Sequence, residues 1–167
     1  NKYKPSDLPE YILDRYTPVH LNSTLLKSYF SQFNLINESD QSMLNEMIAF
    51  GKLYYVVGAI SECDKDNIIL GYSENQFEIL EENEAFIYSY FIQNELFFEK
   101  QSKEKQKYMS ERPYTYEISP QVPGRIGRWL GWKIVSSYMN RNQLTLEELL
   151  LEVDFKKIFY NSNYKPS

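Results

Sequence analysis

Four charged side chains in apolar surroundings are the strongest candidates for a polar site in this sequence. Lys52 stands in an apolar run, and Glu84 falls on the apolar face of a predicted helix. Arg125 and Arg128 lie on a third segment. A buried carboxylate needs a cation or several hydrogen-bond donors, so we expect one of these three cations to pair with Glu84. The group is either a polar pocket that binds a ligand or preserves a former active site, or a structural ion pair that fixes helix register.

Glycines at helical spacing form a second group of candidates. They are Gly51 and Gly58 on one predicted helix and Gly124, Gly127 and Gly131 on another. Glycine inside a helix costs about 0.5–1 kcal/mol relative to alanine, so its repeated use needs a reason. We expect these glycines to let the two helices pack with their backbones close together. The alternative is that each glycine avoids a separate clash with an aromatic neighbour.

The composition excludes several classes of site. The chain has 167 residues with one His and one Cys, so it contains no HExxH motif, no two-histidine metal site and no internal disulfide. Its net charge of −5 gives no overall positive field for nucleic acid. The longest apolar run, residues 53–60, is far shorter than the roughly 20 residues of a membrane span. We therefore expect a non-enzymatic protein without a metal or a cofactor.

The hydrophobic periodicity predicts a mostly α-helical chain. Apolar residues recur at helical spacing over residues 22–33, 39–62, 73–100, 123–140 and 145–160. Proline-rich residues 1–20 allow one short helix between Pro9 and Pro18, and charged residues 101–112 indicate a solvated helix or loop. We expect one domain, residues 1–167, of about five to seven helices.

Local signals position two of these helices more closely. Ser73 with Gln76, and Thr145 with Glu148, have the spacing of capping boxes, in which each side chain satisfies a free backbone amide. Residues 68–70 predict a brief extended segment between two helices. We expect Lys52 on the helix over residues 39–62 and the two arginines on the helix over residues 123–140.

Several motifs together resemble a known protein family. They are residues 47–55 (MIAFGKLYY), 71–73 (GYS), 82–85 (ENEA), 123–135 (PGRIGRWLGWKIV) and 163–166 (NYKP). Over residues 9–166 the chain resembles the gliding-motility lipoprotein family called GldB, most specifically in the segment at 123–135. The resemblance implies a periplasm-facing cell-envelope lipoprotein of Bacteroidetes-type bacteria, associated with gliding and the linked secretion machinery. Envelope proteins of that machinery would be its partners, with membrane contact only through a lipid anchor that this sequence does not contain.

The same family is similar to zincin-type zinc peptidases. Where such a peptidase carries HExxH, this chain has residues 48–52 (IAFGK), which include no metal ligand. The resemblance therefore implies a degenerate, non-catalytic zincin-like scaffold, in which Lys52 replaces a metal cation beside Glu84. It also implies that the chain is the C-terminal portion of a longer protein, the helical half of an α+β fold whose sheet lies in the missing first half.

Two other functions compete with this interpretation. A module that binds carbohydrate or peptidoglycan fragments would present Tyr114, Tyr116, Trp129 or Trp132 to solvent, because buried rings cannot stack on sugars. A metal-dependent peptidase would need a missing N-terminal half to complete its site, with carboxylates such as Glu84 as ligands.

Overall fold

The computed structural model describes residues 9–13, 15, 17–61 and 64–166, so Cys63 lies outside the described residues. The α-helices within them are α1 (Glu10–Leu13), α2 (Pro18–Phe30), α3 (Met43–Ile60), α4 (Asp66–Leu70), α5 (Glu74–Glu82), α6 (Glu84–Gln93), α7 (Ser102–Met109), α8 (Ile126–Asn142), α9 (Leu146–Leu151) and α10 (Phe155–Ser162). A 3₁₀ turn, Leu96–Phe98, follows α6. The expectation of a single, mostly helical domain is confirmed. No helix in these ranges is long and apolar enough to cross a membrane.

Helices α3 and α8 form the centre of the molecule. They make the most extensive helix–helix contact, and α2, α4, α9 and α10 also pack on α3. Helix α3 is apolar on most of its surface, as expected of a helix with neighbours on several sides. It begins after Ser42, whose hydroxyl accepts a hydrogen bond from the backbone amide of Asn45, rather than at Ser39.

Two glycines allow α3 and α8 to approach closely. A Cβ on Gly51 would overlap the carbonyl group of Gly131, and a Cβ on Gly131 would overlap the carbonyl group of Met47. Neither backbone can move away without opening the core on its other side, because both helices are buried there. The crossing of α3 and α8 therefore requires glycine at both positions.

The remaining candidate glycines do not lie at this crossing. A Cβ on Gly58 would meet only the end of the Ile69 side chain, at 3.4 Å. Gly124 precedes α8 and approaches the backbone of Arg112, while Gly127 faces the side chain of Met109 at the end of α7. Gly124 and Gly127 thus relieve separate local contacts, whereas the position of Gly58 has room for a Cβ.

Two of the predicted helices, over residues 73–100 and 145–160, are each divided. Asn83 leaves helical geometry between α5 and α6, and its side-chain amide donates a hydrogen bond to the carbonyl of Ile79. Asp154 separates α9 from α10 and accepts a hydrogen bond from the amide of Lys157. In both places a side chain satisfies backbone groups that a continuous helix would otherwise satisfy, so the chain turns at little cost.

Helix starts set by capping boxes are confirmed, whereas two other predictions are wrong. Ser73 and Thr145 both form the expected reciprocal hydrogen bonds. Residues 68–70 belong to helix α4 instead of an extended segment. Helix α8 begins at Ile126 rather than at Pro123, because Arg125 has a left-handed backbone conformation, with φ at 63°.

Candidate functional site

Three arginines, one before α2 and two at the start of α8, meet at one carboxylate, Glu111. Arg15 donates from both terminal nitrogens, at 2.9 Å and 2.5 Å. The Nε atom of Arg125 lies 3.3 Å from the Glu111 Oε2 atom, and Nη1 of Arg128 lies 3.2 Å from Oε1. The connection between α1 and α2, the start of α8 and the segment after α7 are thereby joined through one side chain.

Arg125 also ties the start of α8 to the end of α4. Its Nη1 and Nη2 atoms donate to the carbonyls of Leu70 and Gly71, at 2.9 Å and 2.6 Å. The guanidinium stacks over the ring of Tyr72, with 4.5 Å to the ring centroid. These contacts leave the side chain almost completely buried, so the left-handed backbone of Arg125 serves to aim it inward.

Arg128 makes the corresponding link between α8, α7 and α3. Its Nε atom donates to the carbonyl of Met109, the last residue of α7, at 2.7 Å. Its guanidinium lies over the ring of Phe50 on α3, 4.3 Å from the centroid. Arg128 is thus held by a carbonyl, a ring and the shared carboxylate.

A cavity of about 180 Å³ opens beside this cluster. Its lining residues are Ile12, Arg15, His20, Thr24, Lys27, Gly71 and Glu111. Lys27 donates to the carbonyl of Ile69 at 2.8 Å, and Gly71 leaves the space that Arg15 occupies, since a Cβ there would stand 2.8 Å from the Arg15 Cδ atom. The cavity is therefore bordered by cationic groups on two sides.

The pKa values reflect this accumulation of positive charge. Burial, together with the positive charges of the three arginines, lowers the pKa of Lys27 from 10.5 to about 8. Burial disfavours the ionised form of Glu111, but the hydrogen bond from Arg15 and the charges of the arginines outweigh it and hold that pKa below its ordinary value. Glu111 is thus a carboxylate, and it shares its charge among more cations than it can neutralise.

Lys52 lies elsewhere and has a different role from the one its sequence position suggested. Its Nζ atom donates to the carbonyls of Leu35, Leu150 and Glu152, at 2.6, 3.1 and 2.7 Å. Two of these carbonyls lie at the end of α9, where helical backbone acceptors have no partner of their own. Burial lowers the pKa of Lys52 to about 8, although the charge of Glu152 opposes the shift. Lys52 therefore anchors the end of α9 to α3.

The cationic partner of Glu84 is Lys133, not Lys52, Arg125 or Arg128. Lys133 Nζ lies 2.8 Å from Glu84 and also 2.8 Å from Glu81. The hydroxyl of Tyr164, near the C-terminus, donates a hydrogen bond to Glu84. Burial and the neighbouring Glu84 raise the pKa of Tyr164 well above its ordinary value. The prediction that Glu84 points inward and pairs with a cation is confirmed, but the cation is Lys133.

The structure thus divides the four predicted residues among three places. Only Arg125 and Arg128 come together, and sequence reasoning missed the residues that meet them: Arg15, Lys27 and Glu111. Glu111 lies within the charged segment 101–112, which was expected to be a solvated helix or loop. The left-handed turn at Arg125, which brings that side chain to Glu111, has no glycine or asparagine to signal it.

Residues 48–52, where the sequence analysis expected a degenerate metal motif, are packed into the core. The side chains of Ile48 and Lys52 are buried, and Gly51 faces α8. Across the ranges that the structure describes, no three His, Cys, Asp or Glu side chains are grouped as metal ligands.

The outer face of α2 carries an apolar stripe, here called the α2 stripe. It consists of Leu21, Leu25 and Tyr29 on α2 and Phe33 in the turn that follows, spaced four residues apart and between 47% and 61% exposed. The rings of Tyr29 and Phe33 are in contact, with centroids 5.5 Å apart. The opposite face of α2, with Leu26 and Phe30, packs against the core, so the stripe faces away from this domain.

The aromatic candidates for sugar binding separate into two groups. Tyr114 and Tyr116 are exposed, with ring centroids 5.9 Å apart and an interplanar angle of 64°. Trp129 is fully buried, and Trp132 packs against the core with its ring near Phe77. Only the two tyrosines are therefore placed to meet a ligand in solvent.

Comparison with known proteins gives one family. The family model described as gliding motility protein GldB matches residues 1–166. No curated protein and no solved structure matches the chain. The family match spans nearly the whole sequence and includes the three arginines of the cluster as well as the glycines of the α3–α8 crossing. The chain belongs to the family of the gliding motility protein GldB.

Proposed function

We propose that this protein is a non-catalytic docking component of a cell-envelope assembly that serves gliding motility. The observation that carries the proposal is the α2 stripe, an apolar surface on a helix whose other face is already packed. Single exposed apolar residues are common on soluble proteins, but contiguous apolar surface is typical of protein–protein contacts. Leucine and tyrosine in a row at helical spacing suit a partner helix or a shallow apolar groove.

The occupied charged groups support a scaffold rather than a catalyst. The ammonium of Lys52 donates to three backbone carbonyls, and Glu84 is held by Lys133 and Tyr164. A general base or nucleophile must be free to reach a substrate, whereas these groups join elements of the fold. In this proposal the chain is a degenerate zincin-like scaffold, and α3 is the counterpart of the metal-binding helix.

Family membership supports the cellular setting. The GldB family is associated with gliding motility, and we place this protein at the periplasm-facing side of the cell envelope, held by the lipid anchor typical of the family. Its partners in this proposal are envelope proteins of the motility or linked secretion machinery. The α2 stripe would supply the apolar centre of that contact, where most binding energy is concentrated.

Replacement of Leu25 in cells tests the docking role. Leu25→Glu places a charge in the centre of the α2 stripe, and Phe86→Glu makes the same change at an exposed aromatic residue on α6. We expect Leu25→Glu to abolish surface movement at an unchanged protein level, and Phe86→Glu to preserve it. Normal movement of the Leu25→Glu cells would contradict the proposal, as would stoichiometric zinc in the full-length protein purified without chelator.

The exposed pair Tyr114 and Tyr116 favours one alternative, a module that binds carbohydrate or peptidoglycan fragments. Exposed aromatic rings are the groups on which sugars stack, although the 64° angle between these two rings gives no flat platform. Titration of muropeptides into the protein and into its Tyr116→Ala variant decides this question. Binding that the variant loses would favour the alternative over the docking proposal.

A further inference from the structure

We propose that the cavity between Arg15 and Lys27 is a binding site for a small, doubly charged oxyanion, namely phosphate or a phosphate monoester. This inference does not depend on the docking role of the α2 stripe, because the cavity stands on its own residues. It rests on the local charge, on free hydrogen-bond donors and on the size of the cavity.

The local charge is strongly positive in a chain whose net charge is −5. Among the residues that the structure describes, Arg15, Arg125 and Arg128 contact the carboxylate of Glu111, and a fourth cation, Lys27, lines the cavity beside it. Asp64 also acts on Lys27, but more weakly than any of the three arginines. Cations in partly buried surroundings repel one another strongly because water screens them poorly. A dianion in the cavity would offset most of this excess.

Donors for such an anion are already in place. The Nε atom of Arg15 is buried, and it has no acceptor among the residues that the structure describes. Lys27 has three ammonium hydrogens, and the carbonyl of Ile69 takes one. Buried donors without acceptors are unfavourable, and oxyanion oxygens are the acceptors that guanidinium and ammonium groups bind best.

The cavity has the size of a small ligand rather than a large one. Its volume of about 180 Å³ is below the roughly 300–1,000 Å³ of sites for drug-sized molecules. Glu111 does not fill it, because its two oxygens are directed to the arginines that line and back the cavity. Glu111 and Arg15 retain 34% and 21% of their side-chain exposure, so an ion from solvent can reach the site.

The excess of positive charge selects among anions. Chloride offers one charge and no oxygen acceptors, and acetate offers one charge with two oxygens. Phosphate and its monoesters carry close to two charges near neutral pH and three or four acceptor oxygens, so they match both the charge and the number of donors. We therefore expect phosphate to bind at least ~10-fold more tightly than acetate, as a further charge near several cations implies.

Calorimetric titration of inorganic phosphate into the folded chain at constant ionic strength tests the site. Chloride and acetate serve as comparison ions, and glycerol phosphate shows whether a monoester is accepted as well as the free ion. The variant is Lys27→Met, which keeps the length of the side chain and removes its charge. The matched control is Lys103→Met, the same change at an exposed lysine on α7.

We expect saturable phosphate binding by the wild type, loss of ~10-fold or more in affinity in Lys27→Met, and unchanged affinity in Lys103→Met. No saturable binding by the wild type would overturn the proposal. Equal affinity in Lys27→Met would overturn it as well.

A second measurement uses only the wild type and therefore does not depend on how the variant folds. The side-chain NMR signals of isotopically labelled lysines report the protonation of each ammonium. Phosphate in the cavity should shift the signal of Lys27 and raise its titration midpoint, while the signals of Lys103 and other exposed lysines stay in place. Equal shifts at all lysines would mean general ionic effects and would contradict a site.

Discussion

The carbonyl group of Met47 on α3 faces Gly131 on α8 so closely that a single added carbon would overlap it. Gly51, one helical turn after Met47, faces the Gly131 carbonyl in the same way. Two central helices are therefore in backbone contact, and most of the core is arranged around that contact. Because Arg128 lies about one helical turn before Gly131 on α8, the same contact fixes the position of the arginine cluster relative to α3.

Substitution of Gly131 by alanine should strongly destabilise the protein. Overpacking of a tight core typically costs 1–3 kcal/mol, and here the overlap involves backbone that cannot change rotamer, so we expect about 3 kcal/mol or more. Gly58→Ala is the control, because its Cβ would meet only the Ile69 side chain at 3.4 Å. The Gly58→Ala variant should be as stable as the wild type or up to about 1 kcal/mol more stable, because alanine favours helix more than glycine does. Urea unfolding measures both, and equal effects would refute the crossing.

Replacement of Lys52 by methionine should also destabilise the fold. The change leaves the carbonyls of Leu35, Leu150 and Glu152 without the ammonium that they share. Unsatisfied buried acceptors cost about 1–3 kcal/mol each, offset in part by relief from burying a charge, so a net loss of about 2–3 kcal/mol is expected. Hydrogen exchange should show the loss as earlier opening of α9. Unchanged protection of α9 would show that Lys52 does not anchor it.

Structural features that depend on a few neighbouring residues could be predicted from the sequence. A capping box is complete within four residues, so the starts of the helices after Ser73 and Thr145 could be predicted with their hydrogen bonds. The glycine spacing likewise indicated a close approach, since few other reasons place glycine inside a helix. Periodicity alone did not reveal the breaks at Asn83 and Asp154, because apolar residues continue at helical spacing on both sides.

Long-range pairing was much harder to predict than local structure. Arg15 and Glu111 are 96 residues apart, and the sequence around each residue gives no sign that the other is its partner. Glu84 was correctly expected to need a cation, but Lys133 was not singled out because a lysine on a helix ordinarily faces solvent. The choice among several possible partners is made by the packing of α5, α6 and α8 together, which no single segment encodes.

The stability of the protein should rise with pH between about 8 and 10 through Lys27. Its pKa is about 8 in the folded protein against an ordinary value of 10.5. The unfolded chain therefore binds more protons than the folded one in this window, and stability rises as pH increases.

Between about pH 7.5 and 9.5, the free energy of unfolding of the wild type should rise relative to that of Lys27→Met by on the order of 1–2 kcal/mol. Urea unfolding at both pH values, in phosphate-free buffer, measures the difference. A difference that does not change with pH would mean that Lys27 keeps an ordinary pKa, without the repulsion that the cluster implies.

The hydrogen bond from Tyr164 to Glu84 should hold the C-terminal residues on α6. Tyr164→Phe removes only the hydroxyl, and because a bond to a charged acceptor contributes about 1.5–3 kcal/mol, a loss near the lower end is expected for this part-buried pair. A double-mutant cycle with Glu84→Gln isolates the interaction. Additive effects of the two changes would show that the two side chains are not coupled.

Site-specific photo-crosslinking in living cells tests the docking role of the α2 stripe most directly. A photoreactive phenylalanine at position 25 lies in the centre of the stripe, and one at position 86 provides an equally exposed control on α6. We expect a discrete crosslink from position 25 to an envelope protein of the motility or secretion machinery, and none to that protein from position 86. The absence of a crosslink from position 25, or the same products from both positions, would contradict it.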